Sequence, residues 1–285
     1  MTNDSKPDQR KDSARIDDRA YRQIPFQAPE IEHRYGANVH LLADPVALAL
    51  LARVVAKGTV QPEVNRLLVE LYRILVSVAM AAGFPRRRLE VPTRMIEKTA
   101  EGVWRGEAID PASRVVVAAI ARGGLLPSQV VFDFLHHLLE PGGIRTDHLA
   151  LGRAVDAAGR VTGADLASAK IGGPVDGAFL LIPDPMGATG STIVRVLDHY
   201  AANHGRALTA IALHLIVTPE YLRRVRDKHP ELIVWALRLD RGLSPPEILD
   251  TIPGERWSEE RGLDDHDYIV PGAGGLGEVI TNSWV

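Results

Sequence analysis

The stretch LLIPDPMGATGST, residues 180–192, joins an apolar run to small and hydroxyl-bearing residues. The apolar run predicts a strand, and Asp184 is the first polar side chain after it. The helix that follows would begin with consecutive exposed backbone N–H groups, and such groups bind phosphate. These N–H groups belong to Ala188, Thr189, Gly190, Ser191 and Thr192. We name residues 184–192 the phosphate loop. Because Asp184 repels phosphate but accepts hydrogen bonds from sugar hydroxyls, the sequence predicts a site for a ribose phosphate.

Other loops that bind phosphate have different sequences. A Walker A loop needs a lysine after its glycine, and a dinucleotide-binding loop needs the pattern GxGxxG; the phosphate loop has neither. A tight strand-to-helix turn with a threonine or serine cap also matches the loop by itself. The rest of the sequence is needed to distinguish a binding site from a simple turn.

The elements around the loop predict an α/β fold. From residue 113 onward, short and nearly continuous apolar runs predict strands at 114–120, 148–152, 178–183, 207–218 and 232–239. Amphipathic stretches between them predict helices at 128–139, 191–204 and 219–230. Continuous apolar runs are typical of strands covered on both faces in a parallel sheet. The phosphate loop would lie at the carboxyl end of such a strand, where open α/β sheets bind ligands.

The first third of the chain predicts a tail, followed by two helices that precede every other element. Residues 1–35 are polar and charged, so we expect a mobile tail, with one domain over residues 36–285. Asp44 would cap a first helix that has Pro45 at its first position, and a second helix is predicted within 59–84. Near the other end, residues 244–267 predict a polar excursion before a glycine-rich ending.

Composition excludes several classes of protein. The 285 residues are 46% hydrophobic and carry a formal net charge of −3, which disfavours nucleic acid and anionic membranes as partners. With no cysteine, the chain has no disulfide and no thiolate metal site. The N-terminus lacks a signal-peptide pattern and the longest apolar stretches are too short to span a bilayer. We therefore expect a cytoplasmic protein.

Several stretches together resemble one family. DPMGATGST resembles the ribosyl-phosphate loop of the type I phosphoribosyltransferases, and its Asp-Pro-Met form resembles the uracil phosphoribosyltransferases in particular. AAIARGGL (118–125) resembles their pyrophosphate loop, and HLALGR (148–153) resembles a strand that ends in a second substrate-binding arginine. YIVPGAGGLGE (268–278), which we name the C-terminal hood, resembles the segment that receives the base. The likeness covers about residues 37–285, in the same order as in the family.

The resemblance implies a fold and an activity. The fold would be a parallel-sheet type I phosphoribosyltransferase core with N-terminal helices and a base-binding hood. Ribosyl 5-phosphate would pass from 5-phosphoribosyl 1-diphosphate to a free nucleobase, with uracil as the first choice, giving UMP and pyrophosphate. Mg²⁺ would be held mainly by substrate and water rather than by protein side chains, and the family likeness implies a homodimer.

The resemblance also implies roles for individual residues. Asp184 and Arg122 would be catalytic, because Asp184 stabilises the developing cation and Arg122 the leaving group. The ribosyl diphosphate would be bound by Arg122, Gly123, Gly124, Arg153, Asp184, Pro185, Met186, Gly187, Ala188, Thr189, Gly190, Ser191, Thr192 and Gly275. The base would meet main-chain groups of Ile269, Gly274, Gly275 and Leu276.

The chain departs from the family pattern at three places. Gly187 stands where a larger apolar residue is usual, and Gly275 stands where the family has an aspartate. We expect the segment after Arg153 to be a flexible loop, and it lacks the acidic pair and the aromatic residue that the family has there. Two alternatives therefore stay open: a sensor or regulator that binds the ribosyl diphosphate with little or no catalysis, and a phosphoribosyltransferase for another base. Glu278 is a candidate to replace the missing carboxylate.

Overall fold

The computed structural model describes residues 18–155 and 161–283, with the backbone alone for 153–155 and 161–165. The chain divides into two compact units. The smaller contains residues up to Phe26 together with Phe84–Asp110, and the larger contains Gln27–Gly83 and the chain from Pro111 onward. The boundary at residue 36 between a tail and a domain stays a prediction.

The described residues form ten strands and seven α-helices. In chain order the strands are β1 (Val39–Leu41), β2 (Arg86–Pro92), β3 (Val103–Ile109), β4 (Val115–Ala121), β5 (Ile144–Val155), β6 (Val161–Lys170), β7 (Phe179–Pro183), β8 (Met186–Gly187), β9 (Thr209–Val217) and β10 (Ile233–Leu239). The helices are α1 (Pro45–Val55), α2 (Glu63–Gly83), α3 (Leu125–Leu135), α4 (Ser191–Asn203), α5 (Pro219–Lys228), α6 (Pro246–Leu249) and α7 (Leu276–Thr281).

The larger unit is built on one sheet. Its strand order is β1-β10-β9-β7-β4-β5-β6, and β8 also pairs with β9. All of these pairs are parallel except β5 with β6. Leu181 of β7 lies between Val117 of β4 and Ile211 of β9, so the carboxyl ends of these strands meet at one edge. The α/β fold with a mostly parallel sheet is confirmed.

Helices cover both faces of this sheet. On one face, Val116, Ala118 and Ile120 of β4 share a buried apolar cluster with residues of α4 and α5. Because side chains alternate along a strand, Val115, Val117 and Ala119 face the other side, where α3 packs against β4 and α2 against β9. The nearly continuous apolar runs in the sequence follow from burial on both faces.

Helix boundaries were predicted with mixed success. Asp44 caps α1 as expected, since its side chain accepts hydrogen bonds from the N–H groups of Val46 and Ala47. The prediction for 128–139 was displaced, because α3 begins directly after Gly124 and ends at Leu135. The expectation that two helices precede every other element was wrong, because β1 comes first. Its three residues are too few to show a periodic pattern, and parallel pairing with β10 stabilises them.

The segment after Arg153 was predicted to be a flexible loop, and most of it is a strand. β6 runs antiparallel to β5 at the edge of the sheet, with Gly152 opposite Asp165 and His148 opposite Lys170. Its small and polar residues are typical of loops, but pairing with the long β5 satisfies their backbone groups. Residues 156–160 lie outside the described part of the chain.

The smaller unit contains the antiparallel pair of β2 and β3. Sequence analysis assigned no strand here. Several large apolar side chains of this unit are exposed to solvent, among them Val91, Met95, Ile96 and Trp104. A two-stranded sheet is only marginally stable by itself.

Across the whole described chain, no helix has both the length and the apolar character that crossing a membrane requires.

Candidate functional site

The phosphate loop begins where β7 ends, at the carboxyl edge of the sheet. Asp184 is half-buried there. Its N–H donates to the Leu213 carbonyl oxygen at 3.1 Å, and its Oδ1 lies 3.5 Å from the Met186 nitrogen. Burial raises the pKa of Asp184 to about 6, against the opposing effect of the Met186 N–H. The carboxyl group therefore ionises close to neutral pH.

The carbonyl groups of the loop are bound from behind by β9 and the start of α5. The Pro185 oxygen accepts from Leu215 and Ile216 N–H, both at 3.1 Å, and the Gly187 oxygen accepts from Thr218 N–H at 3.1 Å. The Ala188 oxygen accepts from the Thr218 hydroxyl at 2.7 Å. These bonds turn the acceptors of the loop toward the protein.

The N–H groups of the loop face the opposite way. Gly190 precedes α4 with a φ of +77°, a left-handed conformation that favours glycine. In the described part of the chain, no hydrogen bond uses the N–H groups of Thr189, Gly190 or Thr192. The hydroxyls of Thr189 and Ser191 lie 2.8 Å apart beside them. Unpaired donors at the N-terminus of a 13-residue helix form an anion-binding arrangement.

A second loop follows β4, beside the phosphate loop. A Cβ atom at Gly124 would lie 2.8 Å from the carbonyl oxygens of both Ile120 and Pro183, so the ends of β4 and β7 leave no space for a side chain. Arg122 is exposed. Its guanidinium lies 3.3 Å from the Ser283 carbonyl oxygen and 3.4 Å from the Ser283 hydroxyl. One flexible cation thus stands at this strand end.

The C-terminal hood lies at the same edge of the sheet. Gly272 N–H donates to the carboxylate of Asp240, directly after β10, at 2.8 Å. The side-chain amide of Gln61 donates to the carbonyl oxygens of Val279 and Ile280, both at 3.0 Å, and fixes α7 beside the start of α2. The hood is therefore tied to both a strand end and a helix start.

Three segments distant in sequence meet at Gly123. A Cβ atom there would lie 3.8 Å from the Pro185 ring and 3.8 Å from the Gly277 Cα. The structure thus brings together the 122–124 loop, the phosphate loop and the C-terminal hood. A cation, a set of unpaired N–H donors and a half-buried carboxylate meet at one edge, which is suited to a phosphorylated sugar with a charged leaving group.

Comparison with known proteins identifies the family. The family model described as uracil phosphoribosyltransferase matches residues 41–254, most of the chain. The chain belongs to this family. Its fold is that of the type I phosphoribosyltransferases, as predicted.

Individual relatives of the family match at modest identity. The uracil phosphoribosyltransferase of Thermosipho africanus is 30% identical over 192 residues, 67% of this chain and 76% of that protein. That of Polaromonas naphthalenivorans is 24% identical, with 86% of this chain and 98% of that protein covered. The match to the Thermococcus kodakarensis enzyme, 30% identical, spans 34% of that protein. A solved structure from Aquifex aeolicus has the same fold, with a TM-score of 0.65, 21% identity and coverage of 85% of this chain and 97% of that one.

Gly187 and Gly275 have different physical settings. A Cβ atom at Gly187 would lie 2.9 Å from Val217 Cγ1 and 3.2 Å from the Tyr221 ring, so a larger residue does not fit. Gly275 has a φ of −76°, which any residue adopts. A Cβ atom there would lie 2.6 Å from a carboxylate oxygen of Glu278, so Glu278 fills the space that a side chain at 275 would enter.

The predicted base contacts are only partly available. In the described part of the chain, no hydrogen bond uses the N–H or C=O group of Ile269. Leu276 N–H, in contrast, donates to the Gly274 carbonyl oxygen at 2.9 Å, so these two groups satisfy each other. Arg153 lies in β5 opposite Ala164, and its side chain is outside the described part of the structure.

Buried polar residues that were not predicted from the sequence lie behind the phosphate loop. His214, Thr218 and Tyr221 are fully buried. His214 Nδ1 lies 2.6 Å from the Asp184 carbonyl oxygen, and its Nε2 lies 2.6 Å from the Tyr221 hydroxyl. Burial lowers the pKa of His214 to about 4, so the ring is neutral at physiological pH. The signal available in the sequence was a lone histidine inside the apolar run of β9.

Proposed function

We propose that the protein transfers the ribosyl 5-phosphate group of 5-phosphoribosyl 1-diphosphate to a nitrogen of a pyrimidine-like base, uracil first. The products would be UMP and pyrophosphate. The meeting of the 122–124 loop, the phosphate loop and the hood at Gly123 carries this proposal. Membership of the uracil phosphoribosyltransferase family supports it.

Each loop has a distinct task in the proposed reaction. The unpaired N–H groups of Thr189, Gly190 and Thr192 would bind the 5-phosphate. Asp184 would accept hydrogen bonds from the ribose hydroxyls, and its negative charge would stabilise the cation that develops at the anomeric carbon. Arg122 would exchange its contact with Ser283 for the pyrophosphate leaving group. Positioning and electrostatics then suffice without a protein nucleophile.

Magnesium belongs to this proposal as a partner of the substrate. When bound, the ion would neutralise charge on the leaving pyrophosphate. The Asp184 carboxylate and the Thr189 and Ser191 hydroxyls are hard oxygen donors, which fit Mg²⁺. Within the described ranges, no group of three or more histidine, aspartate or glutamate side chains could hold a metal ion. The residues present fit an ion held mainly by substrate and water.

The hood would receive the base. The unpaired N–H and C=O groups of Ile269 support recognition of a heterocycle edge that carries one donor and one acceptor. Gly274 and Leu276 would contribute by exchanging their mutual hydrogen bond for bonds to the base. A slot of main-chain groups is easily reshaped, so a phosphoribosyltransferase for another base is the second candidate.

We also propose a homodimer. The exposed apolar side chains of the smaller unit, including Trp104 and Met95, support an interface with a second copy. Light scattering on the purified chain tests it, and a monomer across micromolar concentrations would contradict it.

The experiment for the activity is a pyrophosphate-release assay with ribosyl diphosphate, magnesium and a panel of free bases. Arg122→Gln should lower the rate strongly. The matched control is Arg114→Gln, an exposed arginine just before the opposite end of β4, which should leave the rate unchanged. If ribosyl diphosphate binds but no base yields pyrophosphate, the protein is a sensor or regulator rather than an enzyme.

A further inference from the structure

Behind the phosphate loop lies a buried polar network that touches no proposed ligand. It consists of His214 on β9, Thr218 at the cap of α5 and Tyr221 within α5, all fully buried. Their polar atoms are satisfied by each other and by the carbonyl oxygens of the loop. Because burying polar groups in an apolar strand is unfavourable unless they are paired, such a network needs a reason.

We propose that His214 is a positioning residue, which fixes the phosphate loop in its binding conformation by linking the Asp184 carbonyl oxygen to the Tyr221 hydroxyl. This inference rests on the proposed function. His214 would thus contribute to the affinity for ribosyl phosphate although it contacts no substrate.

The hydrogen bonds of the neutral imidazole select one tautomer. A carbonyl oxygen can only accept, so Nδ1 carries the proton and donates to Asp184 at 2.6 Å. Nε2 then accepts from the Tyr221 hydroxyl at 2.6 Å. An apolar residue at this position would leave both partners buried and unpaired. A charged residue would alter the field beneath the Asp184 carboxylate, which a neutral ring leaves unchanged.

Tyr221 connects His214 to the rest of the loop. Its backbone N–H donates to the Thr218 hydroxyl at 3.0 Å, and that hydroxyl donates to the Ala188 carbonyl oxygen at 2.7 Å. Its ring lies against Gly187, where a Cβ atom would be 3.2 Å away. The network therefore holds the loop at Asp184, at Gly187 and at Ala188, and the unpaired N–H groups are directed outward as a result.

Three variants separate positioning from simple core packing. His214→Asn places an amide nitrogen near the Nδ1 position and can keep the bond to the Asp184 oxygen. His214→Gln places its amide near the Nε2 position and can keep the contact with Tyr221 instead. His214→Leu removes both. The first readout is amide hydrogen exchange over residues 184–188 in the ligand-free protein. The second compares the change in KM for ribosyl diphosphate with the change in KM for the base.

In His214→Leu and His214→Gln we expect faster exchange over residues 184–188. The KM for ribosyl diphosphate should rise about 10-fold, because the phosphate loop loses one hydrogen bond that fixes it. The KM for the base should not change. His214→Asn should restore both to within about 3-fold of the wild type. Equal exchange in all variants, or equal loss in the Asn and Gln variants, would overturn the inference. If the wild type neither binds nor turns over ribosyl diphosphate, the proposed function fails, while the exchange experiment still decides whether His214 fixes the loop.

Discussion

Replacing Asp184 by asparagine should make the protein more stable at neutral pH and much less active. The carboxyl group has a pKa of about 6 in the folded protein, compared with an ordinary value of 3.8, because burial disfavours its charge. Between these two pH values the folded protein holds a proton that the unfolded chain has released. The free energy of unfolding therefore falls as the pH rises through this window, and the loss is complete above about pH 7.

The size of the effect follows from the two pKa values. The interval from 3.8 to about 6 corresponds to about 3 kcal/mol. Asp184 is half-buried and solvent screens part of this energy, so about 1–2 kcal/mol is expected. Asparagine has nearly the same shape and no charge at any pH. Its advantage over the wild type should therefore grow from about pH 3 to about pH 8 by that amount.

Urea unfolding of both proteins at the two pH values measures this difference. Titrating groups that do not contact Asp184 occur in both proteins and cancel. In parallel, turnover of Asp184→Asn should fall by about 10- to 1000-fold, because the charge opposite the developing cation is lost. A stability difference that does not change with pH would refute the assigned burial of the carboxylate. An unchanged rate in an active preparation would refute its role in catalysis.

Three further substitutions test individual contacts. Gly187→Ala should destabilise the fold by about 1–3 kcal/mol in urea unfolding, because its Cβ meets both Val217 Cγ1 and the Tyr221 ring. Adding Tyr221→Leu should recover part of this loss, and additive losses would contradict the contact with the ring. Gly275→Asp should fold normally by circular dichroism, because Glu278 can move aside, and should raise uracil-dependent pyrophosphate release. A fall in activity on another base, with none gained on uracil, would point to a different acceptor. Asp44→Ala should cost about 1 kcal/mol of unfolding free energy in urea, with unchanged ligand binding.

Strands could be predicted from the sequence where burial on both faces of the sheet requires a continuous apolar run. The runs that became β4, β7, β9 and β10 are continuous and apolar, and they were found with small errors at their ends. β6 was not found, because its alanines, glycine and polar residues carry no such pattern and its partner β5 determines its structure. Short edge strands and small hairpins depend on contacts that local sequence does not encode.

The same contrast holds at the candidate site. The phosphate loop and the 122–124 loop were predicted because a strand end, small residues and a helix start are adjacent in sequence. The roles of His214 and Tyr221 depend on contacts with Asp184 and Gly187, about 30 residues earlier in the chain. Only the fold brings these residues together, so the lone histidine in the apolar run of β9 could not reveal its partners.

The pairing of β1 with β10 has a consequence for synthesis of the chain. Val39 pairs with Val234, so β1 leaves the ribosome well before its partner exists. At about 5–20 residues per second, the intervening stretch of roughly 200 residues takes about 10–40 seconds to translate. During that time β1 has unpaired backbone groups, which invite association with other chains. Nascent chains stalled before residue 233 should therefore aggregate more readily than chains stalled after residue 239.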